Sequence, residues 1–233
     1  MFARIRRLRR RWRRLAATVA AVSALTGGGL TAYTRSSDAQ LPPPIGELAD
    51  LMTKVLVVPR IDDVDGYERE CGKGKGCVFG PAWRDPSDHS GCDTKNRLIT
   101  LSFNDIEYKP GTRDCKALSG WRIDPYTGKR LELESMQPDH VLPLHILWNA
   151  GASKWDLQRR KIAANDLLNL QAVAGHINQS KRDKPLAKWL PPNEAFRCPY
   201  ALQYLTVAVK YQVPITTADR DVAVKVCPQH NDA

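Results

Sequence analysis

The sequence predicts a single α+β domain, braced by disulfides and preceded by a leader. Segments that alternate polar and apolar residues stand beside segments with helical spacing, within 233 residues. Six cysteines, an even number, follow a leader of the exported type. Hydrophobic residues make up 42% of the chain, enough for one packed core, so a disordered polymer is excluded.

The leader comes first. Residues 1–39 hold nine arginines and one acid, Asp38. The arginine cluster precedes an apolar run from Leu15 to Leu25. That run is short of the roughly 20 residues a membrane span needs and has the form of a secretory signal. Residues 1–39 are therefore expected to be a signal peptide or a basic, apolar leader. The chain is expected to be secreted or extracytoplasmic, with anchoring through an uncleaved leader as the alternative and no other stable membrane partner. Beyond the leader, 26 basic residues face 24 acidic ones. The net charge of +10 thus belongs mainly to the leader and is no argument for nucleic-acid binding.

Local closure favours the pairs Cys71–Cys77, Cys92–Cys115 and Cys198–Cys227 among the fifteen that six cysteines permit. A structural zinc site is the rival, but it usually shows a C-x2–4-C pair. The nearest two cysteines here, Cys71 and Cys77, have five residues between them.

Residues 40–60 read as a linker (QLPPPIG, 40–46) and a short helix, in which Leu48, Leu51, Met52, Val55 and Leu56 share a face before Pro59. The main domain is expected over 61–233. Residues 61–91, rich in Gly, Asp and Pro, should be irregular. Residues 97–103 (RLITLSF) alternate and predict a strand. Asp124-Pro125-Tyr126-Thr127-Gly128 predicts a turn, with 117–123 and 129–134 as the arms of a hairpin. A strand is expected to run on through 141–144. A helix is expected over 153–164 with Ser153 as its cap, a short strand over 169–173, and a helix over 175–184 halted by Pro185. A helix near 199–210 and a strand near 213–216 complete the chain.

The chemistry concentrates in residues 137–192. Asp139 and His140 sit at a strand edge, Asn169 opens a second strand, and Asn178 and Lys181 lie on the helix after it. A phosphodiester is anionic and resists attack, so a hard cation on oxygen ligands helps neutralise the charge that builds on it. Asp139 and Asn178 offer a carboxylate and an amide oxygen of the kind such ions choose. A neutral imidazole can take a proton from water near pH 7, a role His140 could fill. Alternation along a strand sends the Asp139 and His140 side chains to opposite faces.

These residues stand in a series of segments: PDHVLPL (138–144), GASKW (151–155), RKIAANDLLNLQAV (160–173), NQSKRDK (178–184), WLPP (189–192) and RCPYA (197–201), with GCDTKN (91–96) and DPYTG (124–128) upstream. Together they resemble the HNH nucleases, specifically a secreted bacterial group related to the C-terminal domain of GmrSD-type restriction endonucleases, over roughly residues 78–227. The resemblance implies a ββα-metal (HNH, His-Me finger) core and a metal-dependent endonuclease that leaves 5′-phosphate and 3′-hydroxyl ends. It implies His140 as general base, Asp139 and Asn178 as metal ligands, and Asn169 as the residue that orients the histidine loop. Lys181 would face phosphate, and Arg160 would clamp the substrate or brace the site. His176 is a further candidate nucleic-acid contact, two residues before Asn178. One divalent cation is implied, magnesium with manganese as the alternative. The substrate is nucleic acid, DNA before RNA. The Cys71–Cys77 segment looks like an insertion of local consequence. His89, His145 and His230 are expected at the surface or in packing, and Trp155 and Trp189 in packing. Two alternatives stand beside the enzyme: a secreted binding module with an inactive site, and a nuclease toxin.

Overall fold

A computed structural model of the chain describes residues 47–227. The leader, the linker expected at 40–46 and His230 lie outside the described residues. Helix α1 (Leu48–Lys54) buries Leu48 and Leu51 and leads into strand β1 (Val57–Val58). Residues 61–91 contain neither helix nor strand.

Residues 97–103 are not a strand. They belong to helix α2 (Thr94–Ser102). The Asp93 carboxylate accepts from the Asn96 amide and caps the helix start. Leu98 and Ile99 are adjacent and both buried, which the two-fold period of a strand does not allow on one face. The strand lies one segment later, as β2 (Asn104–Tyr108), and joins β3 (Ala117–Ile123) and β4 (Arg130–Glu132) in an antiparallel sheet of order β2-β3-β4. The β3–β4 hairpin turns at 124–128, where Gly128 takes φ +70°.

Strand β5 (Met136–His140) pairs antiparallel with β6 (Leu170–Ala174), with Asp139 opposite Gln171 and His140 opposite Leu170. The expected continuation through 141–144 does not occur. The Asn169 side chain takes both the N–H and the C=O of Leu142, and Pro143 precedes helix α3 (Leu144–Asn149). The single helix expected at 153–164 is split into a 3-10 turn (Ala152–Lys154) and helix α4 (Leu157–Ala164), capped by Asp156 rather than Ser153. Helix α5 (Gly175–Lys181) follows β6 directly. Helix α6 (Arg197–Tyr211) is the longest of the described elements and buries Tyr200, Tyr204 and Leu205. Strand β7 (Ile215–Thr216) pairs parallel with β1, and helix α7 (Thr217–Val226), absent from the expectation, starts on a capping box between Thr216 and Asp219.

The β5–β6 ribbon lies between two apolar clusters. Met136, Leu170, Ala172 and Ala174 pack with α2 and Leu131 on one face. Val173 packs on the other, with Tyr126, Leu147, Leu168 and the α6 tyrosines. Alternation along the strands thus fixes which side chain meets which cluster. The disulfides are Cys71–Cys77, Cys92–Cys115 and Cys198–Cys227. No cysteine among the described residues is free.

Candidate active site at the end of the β5–β6 ribbon

Asp139 and His140 leave β5 on opposite faces, as strand geometry requires. Asp139 is only 4% exposed. Its Oδ2 accepts from the Tyr126 hydroxyl at 2.6 Å, and its Oδ1 accepts from the Lys181 ammonium at 2.9 Å. Burial pushes the Asp139 carboxyl above the usual carboxylate range, and Lys181 and the Tyr126 hydroxyl oppose that rise.

His140 faces the other way. Its Nε2 lies 2.8 Å from the Ala164 carbonyl oxygen. A carbonyl only accepts, so Nε2 carries the hydrogen and Nδ1 is left as the acceptor of the neutral ring. The indole of Trp83 stacks parallel to the imidazole at 6.1 Å. The imidazole pKa is pushed down to about 4, chiefly by burial, with the charges of Arg69 and Lys181 adding to the drop and the Ala164 hydrogen bond opposing it. At neutral pH the ring is uncharged and able to accept a proton.

Asn169 is fully buried. Its Oδ1 accepts from Leu142 N at 2.8 Å and its Nδ2 donates to Leu142 O at 3.0 Å, two residues past the histidine. Asn178, on α5, donates from Nδ2 toward the Pro138 carbonyl and the Gln137 amide oxygen, each at 3.4 Å. These two residues tie the ribbon to its following loop and to its helix.

A cavity of about 290 Å³ opens here, and Asp139, His140, Asn178 and Lys181 all contribute to its wall. Lys181 is not a solvent-facing cation. It is fully buried, and its ammonium spans Asp139 Oδ1 and the His140 carbonyl. Arg160 does not line this cavity. Its guanidinium donates to the Val78, Ala152 and Trp155 carbonyls. His176 lies elsewhere, exposed on α5 beside a separate hollow lined by Asp124, Glu132 and Glu134. Sequence reasoning missed Tyr67 and Arg69 and placed His145 at the surface or in packing; all three line the cavity, as does Arg182. Arg69 stands just before the Cys71–Cys77 segment, where no sequence pattern marks it.

Comparison with known proteins adds lineage to this geometry. The chain is 29% identical over 180 residues to an uncharacterized secreted protein of the fungus Arthroderma benhamiae, covering 76% of this chain and 82% of the relative. A fungal relative means the resemblance does not stop at bacteria. No solved structure matches. Residues 93–225, more than half the sequence and the span that contains the ribbon, α5 and the cavity's acid–histidine pair, match the C-terminal domain of GmrSD restriction endonucleases, and the chain belongs to that family.

Proposed function

We propose that the chain is a secreted, metal-dependent endonuclease of the HNH type, hydrolysing nucleic-acid phosphodiester bonds with His140 as general base. The observation that carries this reading is the state of the His140 ring. It is pinned through Nε2, keeps Nδ1 unprotonated and free to accept at neutral pH, and lines a cavity that also carries Arg69, Lys181 and Arg182. The antiparallel strand pair followed at once by a helix, with Asp139 and His140 on the first strand and Asn178 on the helix, supports a ββα reading of this site. The family match supports a nuclease, and the three disulfides together with the secreted relative support an extracellular setting.

Among the described residues no three His, Cys, Asp or Glu side chains cluster as a metal cage. The oxygen donors of Asp139 and Asn178 nonetheless fit a magnesium-like ion, which keeps most of its water and needs only one or two carboxylates. Asp139 and the Asn178 amide oxygen would hold it, and Asp139 can do so while still accepting from Lys181, since each carboxylate oxygen has two lone pairs. When bound, such an ion neutralises charge on the phosphate and the departing oxygen. His140 takes a proton from water at Nδ1 as the water oxygen bonds to phosphorus. The P–O3′ bond breaks, and the 3′ oxygen collects a proton from solvent. Lys181 holds Asp139 and the His140 backbone in one arrangement throughout.

The test is cleavage of plasmid DNA and of RNA by the purified chain, with magnesium, manganese or chelator. Cleavage is expected with either ion and not with chelator. His140→Ala should lower the rate by about 100-fold or more while the fold is kept. Undiminished cleavage by His140→Ala would remove the histidine from the mechanism. One observation favours a second reading, a nucleic-acid-binding module with an inactive centre: both Asp139 oxygens are already engaged by protein donors. Binding of DNA without a nick under every ion would select it.

A further inference from the structure

Arg69 lies on the wall of the same cavity and has no part in the mechanism above. We propose that Arg69 grips a backbone phosphate of the substrate beside His140, and that the loop closed by Cys71–Cys77 is its fixed mount. The identity of the anion as nucleic acid rests on the nuclease reading; the grip on a phosphodiester does not.

The argument starts with charge. The cavity wall carries the cations Arg69, Lys181 and Arg182 and the acids Asp139 and Asp183. Lys181 and Asp139 neutralise each other, and Asp183 approaches His145 at 3.9 Å. Among the described residues neither Arg69 nor Arg182 is bridged to a carboxylate, and Arg69 is partly buried. A half-buried cation without a counter-ion is costly, and an anionic ligand relieves that cost. Arg69 donates from Nη1 to the Gly80 carbonyl at 3.1 Å, which leaves further N–H groups of the guanidinium to fork onto two phosphate oxygens. Arg69 and His140 line the same cavity of about 290 Å³, so a phosphate gripped by the guanidinium stands in the hollow that the imidazole faces.

The mount is built rather than loose. Cys77 N and Val78 N donate to the carbonyls of Glu70 and Glu68 at 3.0 Å, and the disulfide closes the same two limbs. The Glu68 carboxylate accepts from Gly76 N at 2.7 Å. Arg160 holds the Val78 carbonyl from outside at 2.6 Å. Gly80 takes φ +71°, and a Cβ there would lie 2.6 Å from the Lys161 side chain, so glycine is what lets this carbonyl meet Arg69.

Binding of a short fluorescent DNA duplex to the His140→Ala chain, across a salt series, tests this. Arg69→Gln should weaken binding about tenfold at low salt and make the slope of log affinity against log salt shallower by about 0.9, one phosphate contact. Arg69→Lys should keep the slope and lose affinity, because the charge stays and the fork goes. Cys71→Ser/Cys77→Ser should likewise keep the slope and lose affinity. An unchanged slope in a folded Arg69→Gln chain overturns the grip. Undiminished affinity in the cysteine variant overturns the mount. If Arg69→Gln shows the expected slope change yet the wild-type chain never cleaves, Arg69 stays a phosphate grip and the nuclease reading alone is removed.

Discussion

A lysine is almost never fully buried unless it is paired, and Lys181 is fully buried against Asp139. The pair is a consequence of helix geometry. Lys181 stands three residues after Asn178 on α5, so both side chains turn toward the ribbon. Removing one member leaves the other charge buried and uncompensated, a loss of roughly 3–5 kcal/mol. Lys181→Met is expected to lower unfolding stability by about that much in urea titrations, and adding Asp139→Leu to it should restore most of the loss. A Lys181→Met chain within about 1 kcal/mol of wild type would mean the pair carries no such weight. At this scale the opposite faces taken by Asp139 and His140 were legible from strand alternation, and the place of Asn178 on the following helix from its order in the chain. The inward turn of Lys181 was not legible, because a lysine in a run of polar residues reads as a solvated face until its partner on a distant strand is known.

The element that matters most is the connection between β5 and β6. It runs through α3 and α4 and returns at Asn169, whose amide closes both polar groups of Leu142. No ladder bond replaces these, so the Asn169 side chain fixes where the chain goes after His140. Asn169→Ala leaves a buried N–H and C=O unsatisfied, about 1–3 kcal/mol for each group. It should lower stability and reduce kcat more than it raises KM, since the histidine loses its support while the phosphate-binding wall stays. A variant that loses stability with kcat intact would separate the loop from the chemistry. The ribbon and its helix could be read from the sequence because strand, turn and helix signals there agree. Residues 97–103 could not, because an alternating run that also carries adjacent Leu98 and Ile99 suits either period, and the Asp93 cap decided for the helix. Arg69 was hidden for a related reason: nothing in residues 61–91 has a period, so the approach of that loop to β5 is set by its disulfide and carbonyl bonds and not by a local pattern.

For the molecule as a whole, the ring proposed as the base also ties stability to pH. His140 in the folded chain has its pKa lowered from 6.5 to about 4, first by burial. The unfolded chain therefore binds the proton more readily between these two values. Stability is full above about pH 6.5 and falls as pH drops toward 4, because protons pull the equilibrium to the unfolded side. The lowering corresponds to roughly 3 kcal/mol, a large share of a domain's usual 5–15 kcal/mol. The disulfides do not titrate in this range and shift the whole curve without bending it. Urea unfolding at neutral pH and near pH 4 should show wild type losing more stability than His140→Gln, which cannot take up the proton. The same lowered pKa sets the sign for activity. The base is present above about pH 4, so kcat/KM in folded protein should decline only as pH approaches 4, well below the 6.5 of a free imidazole. Parallel pH–stability curves for wild type and His140→Gln, or an activity limb centred near 6.5, would show that the ring is hydrated in solution and that its enclosure by Trp83 and the Ala164 carbonyl does not govern its proton.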